Sequence, residues 1–280
     1  MNLKDLQNTP PWDWPRDAGT LIHKTLIDAR ANPSDRLVAA ELAGDFTVIN
    51  DELADALMAV LSSPGHPEQL RAKAAISFGA ALEQADTVEF DDPDDVPISE
   101  SAFRKIQNSL HTLYLDESNP KQVRRRILEA SIRAPGKWHP NAIRAAYSSG
   151  DKDWMLTAVF SMRWVGGFDD QILEALKSTD AEIRCEAVKA AGSCELDAAW
   201  PHIVALVNDP RIAKGLRIAA INATNIRPRE ARELLEDLLA SEDEEIAEAA
   251  AEAIMMADAC DFNEEEDEEQ EEQDPTKWIH

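Results

Sequence analysis

Cysteine is scarce in this 280-residue chain: three residues, an odd number, do not make a disulfide framework. Phosphate-binding glycine loops are missing, as is a G-x-S-x-G nucleophile turn. Histidine is sparse too. The six, at 23, 66, 111, 139, 202 and 280, never fall at i, i+3 or i+4, so no helical metal pair is written. No His-Glu dipeptide occurs, against the chemistry of helical-repeat iron hydroxylases. Base is short of acid, 28 Lys and Arg against 54 Asp and Glu, for a net charge of −26. Phosphate repels such a chain, so general nucleic-acid binding and docking on anionic membrane are disfavoured. No apolar run approaches a membrane span, and the opening MNLKDLQNTPPWDWP lacks the apolar core of a secretion signal. The expectation is a cytoplasmic monomer without cofactor or metal. Alternating strand patterns are absent as well.

What is present is a repeat. Asp180 to Gly192 begins with an acid, then places Ile183 as an apolar anchor with Arg184 after it. Small residues follow four and seven places later, and a glycine nine places later. The frame recurs at Leu70-Arg71, Val123-Arg124 and Leu216-Arg217, and at Asp35-Arg36 with a polar anchor. Trp154 and Ile246 head two copies without the arginine, having Met155 and Ala247 there. Anchors at 35, 70, 123, 154, 183, 216 and 246 lie about 30 residues apart, with one interval about 20 longer. Each anchored stretch follows another amphipathic one, such as Leu53-Leu57-Val60-Leu61 or Phe103-Ile106-Leu110. Punctuation agrees with helix starts. Asn119-Pro120 reads as N-cap and first residue, Thr179-x-x-Glu182 and Ser241-x-x-Glu244 as capping boxes, and Pro67, Pro140, Pro201 and Pro228 as first-turn prolines. Gly166-Gly167 reads as a helix C-cap. Cys185 and Cys194 read as small buried residues on repeat helices.

The frame resembles HEAT-like repeats of the phycobilisome-lyase type, D-x-x-[IV]-R-x-x-A-x-x-A-[LI]-G, over roughly residues 17–258. The arrangement as a whole is similar to a group of bacterial HEAT-repeat proteins for which the likeness implies a fold and no activity. The resemblance implies an all-α, right-handed α-solenoid of about seven helix pairs, an armadillo-like superhelix. It also implies that Arg36, Arg71, Arg124, Arg184 and Arg217 tie neighbouring units together. Family members serve as scaffolds, adaptors and occasionally enzymes.

Three segments depart from the repeat. Residues 1–16, with Pro10-Pro11-Trp12-Asp13-Trp14-Pro15, are expected to cap the apolar edge of the first pair. Residues 86–100 form an acidic insertion with seven acids and no base. Its Asp91, Asp92, Asp94 and Asp95 lack the spacing, glycine and terminal glutamate of a calcium loop and read as solvated. Residues 259–280 are expected to form a disordered acidic tail, with ten acids between Asp261 and Asp274. More than half of the net charge lies in these two acidic segments.

Second helices of such pairs line the inner face, and their outward stripe should fall at anchor+3, +6 and +10. That selects Arg126, Glu129 and Ile132, then Thr157, Phe160 and Arg163, then Glu186, Lys189 and Ser193. Mixed charge around an aromatic suits protein recognition. The expected function is therefore a non-catalytic scaffold or adaptor binding a protein partner, with the acidic appendages suited to a basic one. An accessory enzyme resembling phycobilin lyases is the alternative, needing a deep pocket with convergent polar groups. Nucleic-acid handling ranks third. It would use the basic cluster Arg124-Arg125-Arg126 with Arg133, which resembles the inner faces of HEAT-like DNA glycosylases.

Overall fold

A computed structural model describes residues 2–88, 90 and 96–272, with side chains as far as Asp258. The described residues form α-helices and short 3₁₀ turns, with no strand among them. Contacts divide the chain into two units, Met1–Thr157 and Ala158–His280.

Unit 1 opens with α1 (Leu3–Gln7) and continues as helix pairs: α2 (Ala18–Ile27) with α3 (Pro33–Leu42), α4 (Asp51–Ser62) with α5 (Glu68–Ile76), and α7 (Glu100–Leu115) with α8 (Lys121–Ser131). An unanticipated helix, α6 (Gly79–Val88), sits between the second and third pairs. α9 (His139–Tyr147) precedes α10 (Lys152–Ser161), within which the division between units falls. Unit 2 holds α11 (Asp169–Ala175) with α12 (Ala181–Ser193), α13 (Trp200–Val207) with α14 (Lys214–Asn222), and α15 (Pro228–Glu236) with α16 (Glu244–Glu272).

All seven anchors fall in the first turn of a second helix, each as its third residue. Like packs against like. In unit 1, α3 touches α5 and α5 touches α8, while α2 touches α4 and α4 touches α7. In unit 2, α12 touches α14 and α14 touches α16. Within unit 1, second helices thus make one layer and first helices the other, and within unit 2 the second helices line up in the same way. The frame alanines at anchor+4 sit at these seams: Ala74, Ala158, Ala187, Ala220 and Ala250 are all fully buried.

The frame glycine has a steric reason. A Cβ on Gly44, just past α3, would lie 2.8 Å from Ser77 Cβ at the end of α5. One on Gly192 would lie 3.0 Å from Ala223 Cα, where α14 ends. Neighbouring second helices end backbone to backbone at these points.

Several local expectations shift. Asn119 does not cap α8, whose N-cap is Pro120. Its amide is buried, donating to Leu113 O at 2.9 Å and accepting from Arg71 Nη2 at 2.5 Å. The cap of α12 is Asp180 rather than Thr179; its Oδ1 accepts from Glu182 N and Ile183 N. Gly167, at φ +85°, lies in the turn before α11 and not at the end of α10.

In residues 1–16, Leu3 and Leu6 are buried and α1 packs on α3. Trp14 Nε1 donates to Leu6 O and Thr9 O, at 3.0 and 2.9 Å, while Trp12 is 79% exposed. In the insertion, Val96 and Ile98 are buried and Phe90 packs against Phe103 at 5.4 Å. Asp91, Asp92, Asp94 and Asp95 lie outside the described residues. The helix α16 runs to Glu272, into the stretch expected to be disordered. The side chains of 259–280 lie outside the described set, and disorder there stands as a proposal. No helix among the described residues is long and apolar enough to cross a membrane.

Candidate functional site

Four of the five frame arginines share one geometry. Arg36 Nε donates to Leu26 O at 3.1 Å, Arg71 Nε to Leu61 O at 2.8 Å, Arg124 Nε to Tyr114 O at 2.8 Å and Arg217 Nε to Val207 O at 2.9 Å. Each acceptor lies ten residues earlier, in the last turn of the first helix of the pair. Carbonyls there have no intrahelical donor and carry the negative end of the helix dipole, so a guanidinium satisfies both. The bond lies within the pair. Only Arg71 adds a bond to the next pair, through Asn119. Arg184 departs from the set, its buried Nε lacking an acceptor among the described residues.

The expected outward stripe divides between the units. In unit 1, Glu129, Thr157 and Ile132 are buried, at 5%, 0% and 0% exposure. The cause is Arg125, which the anchor+3/+6/+10 rule does not select. Its side chain is buried on α8 and donates to Thr157 Oγ1 and Gln122 Oε1, both at 2.9 Å. Thr157 Oγ1 in turn donates a hydrogen bond to Glu129 Oε1 at 2.6 Å, and Arg126 Nη1 meets Glu129 Oε2 at 2.5 Å. A buried guanidinium requires acceptors, and it draws Glu129 and Thr157 inward to supply them. Arg126 is the member of this group left partly open.

Every member of the basic cluster is partnered within the fold. Arg124 holds Tyr114 O and lies over the Tyr114 and Trp154 rings, Arg125 and Arg126 share Glu129, and Arg133 meets Glu83 at 2.8 Å.

In unit 2 the stripe does reach a surface depression. Arg163 is ion-paired to Glu186, and Lys189 Nζ meets the other oxygen of the same carboxylate at 2.9 Å. The Arg163 guanidinium lies 5.1 Å from the centre of the half-buried Phe160 ring, and Trp164 leans on Phe160 at 4.9 Å. Arg163 and Lys189 border a pocket of about 400 Å³, together with Ser193, Asn222 and Asn225. Two backbone gaps, Gly192 and Gly215, open it. Asn225 Nδ2 is fixed by Gly192 O at 3.1 Å, which leaves its carbonyl oxygen facing the site. The two asparagines escaped sequence reading because Asn222 ends α14 and Asn225 lies in the 3₁₀ turn after it, beyond the last periodic position.

One arrangement resembles a catalytic dyad. His139, 2% exposed, has Nε2 3.0 Å from Ser131 Oγ. Its Nδ1 lies 2.8 Å from Gly136 N and 3.2 Å from Gly136 O, and the shorter contact, in which the amide donates to Nδ1, leaves the proton on Nε2 to be donated to the serine. A hydroxyl that receives the imidazole proton is not activated by that imidazole. Burial pushes the His139 pKa down to about 4. Cys185 and Cys194 are half-buried, with thiol pKa values raised by burial, and Cys194 Sγ donates to Met162 O. Among the described residues no group of three His, Cys, Asp or Glu could hold a metal ion.

No family model matches the chain, and no curated protein matches it. Among solved structures, YibA of Escherichia coli is similar at 17% identity, covering 90% of this chain and 85% of its own, with a TM-score of 0.45. The complex of CpcE and CpcF of phycocyanin lyase from Nostoc sp. PCC7120 gives 17% identity, 89% and 98% coverage and a TM-score of 0.44. Human deoxyhypusine hydroxylase in complex with glycerol gives 16%, 86% and 96%, and 0.39. The helix order, the recurring frame and the packing of like helices make this chain an all-α protein of repeated helix pairs.

Proposed function

We propose that the chain is a non-catalytic scaffold that binds a protein partner through the Arg163–Lys189–Asn225 pocket of unit 2. The observation that carries this reading is the pocket's mixed polar lining. Arg163 and Lys189 both meet Glu186, and Ser193, Asn222 and the Asn225 carbonyl oxygen stand beside them. Such a set of donors and acceptors suits the main chain of a partner segment, with Phe160 and Trp164 adjacent as apolar contact. Satisfied partners around Arg124, Arg125, Arg126 and Arg133 favour a protein over a nucleic acid. The acidic insertion and tail remain suited to a basic region of the same partner. The alternative of an accessory lyase-type enzyme would call for titratable groups converging in a pocket, and the His139–Ser131 pair is oriented against that use.

The test is quantitative recovery of cross-linked partners with wild type and with Lys189→Glu. Lys189 is exposed, so folding is spared. Recovery of the specific partner should fall about tenfold or more, as for a central interface charge. Equal recovery with an unchanged melting curve would remove the proposal.

A further inference from the structure

The last helix pair contains a cavity of about 210 Å³ between α15 and α16. Ala231 and Leu235, each 1% exposed, form its floor, and Ala253 and Met256 its α16 wall. Met256 is 70% exposed and Met255 beside it 65%, so large apolar side chains stand open to water here. Methionines on an open surface adapt to the shape of what docks on them. Apolar cavities of about 150 Å³ take up benzene. This one has room for a branched aliphatic or aromatic side chain.

The cavity has one polar side. Asn222, Thr224 and Asn225 line it where α14 gives way to the 3₁₀ turn. Asn222 and Asn225 also line the Arg163–Lys189 pocket, so the two depressions meet along these side chains. A few extended residues, at about 3.3 to 3.6 Å each, cross from one to the other. The polar pocket sets the conformation of such an occupant. Its donors and acceptors require free main-chain groups, which an extended segment offers and a helix, bonded to itself, does not. Charge narrows the occupant further. Glu252 lines the cavity and Glu248 stands one turn earlier, both exposed and neither ion-paired among the described residues. They favour a base beside the anchor, while the net −26 of the chain disfavours a second copy of itself.

We infer that one extended, basic segment of a protein partner occupies both depressions, seating a large apolar side chain in the α15–α16 cavity with a Lys or Arg against Glu252. This rests on the reading of the Arg163–Lys189–Asn225 pocket as a peptide site. The cavity adds what that pocket lacks, an enclosed seat for a desolvated anchor, and such anchors carry most of the energy of an interface.

The experiment selects a phage-displayed random dodecapeptide library on the immobilised full chain and measures the enriched peptides by fluorescence anisotropy. Enriched sequences should share one large apolar residue with Lys or Arg within two positions. Their affinity should fall about tenfold or more in Ala253→Phe, which fills the cavity, and in Met256→Glu, at an exposed position that spares folding. The same peptides should weaken in Lys189→Glu. Melting curves matching wild type verify folding in each variant. No enrichment, or enriched peptides without a shared apolar residue, overturns the inference. Affinity indifferent to both cavity variants overturns it too, and if Lys189→Glu still weakens binding the polar pocket stands as a site by itself. Loss in the cavity variants alone removes the polar pocket and overturns the single-segment inference with it. Self-association of the free chain in sedimentation, abolished by Met256→Glu, assigns the cavity to a second copy and overturns it as well.

Discussion

Arginine does two different jobs here, and the difference can be measured. Arg71 is 4% exposed and serves both Leu61 O and Asn119, whereas the part-buried Arg217 serves Val207 O. Arg71→Ala should therefore cost about 2–3 kcal/mol and Arg217→Ala about 1 kcal/mol by urea denaturation. Equal losses would mean that the buried bridge to Asn119 adds nothing. His139 gives a pH dependence. Its folded pKa of about 4 lies below the unfolded value of 6.5, so the unfolded chain binds the proton first. Stability is then full above pH 6.5 and declines as pH falls towards 4, by about 3 kcal/mol for this group. Denaturation midpoints of wild type and His139→Phe, compared across that window, should show the slope reduced in the variant. At this scale the sequence was half legible. The frame arginines stood out by recurrence. Glu129 and Thr157 were placed outward by their frame positions, anchor+6 and anchor+3, and the buried Arg125, which periodicity does not identify as buried, explains why they point in.

Helices and seams were more legible than residues. Anchors, small residues and glycines recur because every seam faces the same packing problem, and repetition averages out local noise. Gly44 makes the point testable. Gly44→Ala places a methyl against Ser77 and should destabilise unit 1 by about 1–3 kcal/mol. Gly166→Ala, which meets nothing within 4 Å, should leave the thermal midpoint unchanged. Similar melting curves for the two would show that the seam relaxes freely. The unread element is α6. It runs from the frame glycine Gly79 into the acidic insertion, a stretch to which the repeat frame assigns no helix. Phe78, fully buried, stands immediately before it, and its carbonyl accepts from Leu82 N in the first turn of α6. The capping signals around Asn119 and Thr179 were displaced for a related reason, since tertiary bonds claimed Asn119 and Asp180 offered a better acceptor.

For the whole molecule, two units imply two unfolding events. Deleting residues 1–16 removes Leu3 and Leu6 from the core of unit 1 and nothing from unit 2. Each leucine contributes about 2 kcal/mol on burial. Calorimetry should show one transition lowered by about 4 kcal/mol in stability and the other untouched; a uniform shift would show that the units unfold as one. The arginine-to-carbonyl bonds set a further limit, on where the chain can change length. Leu26 to Arg36, Leu61 to Arg71, Tyr114 to Arg124 and Val207 to Arg217 are all ten residues. Each bond therefore acts as a ruler across the link inside its pair. A residue added or lost there moves the guanidinium off its carbonyl, whereas the link between pairs carries no such gauge. The extra helix α6 and the acidic insertion both lie in an ungauged link. New segments, natural or engineered, are accordingly accommodated between pairs and resisted within them.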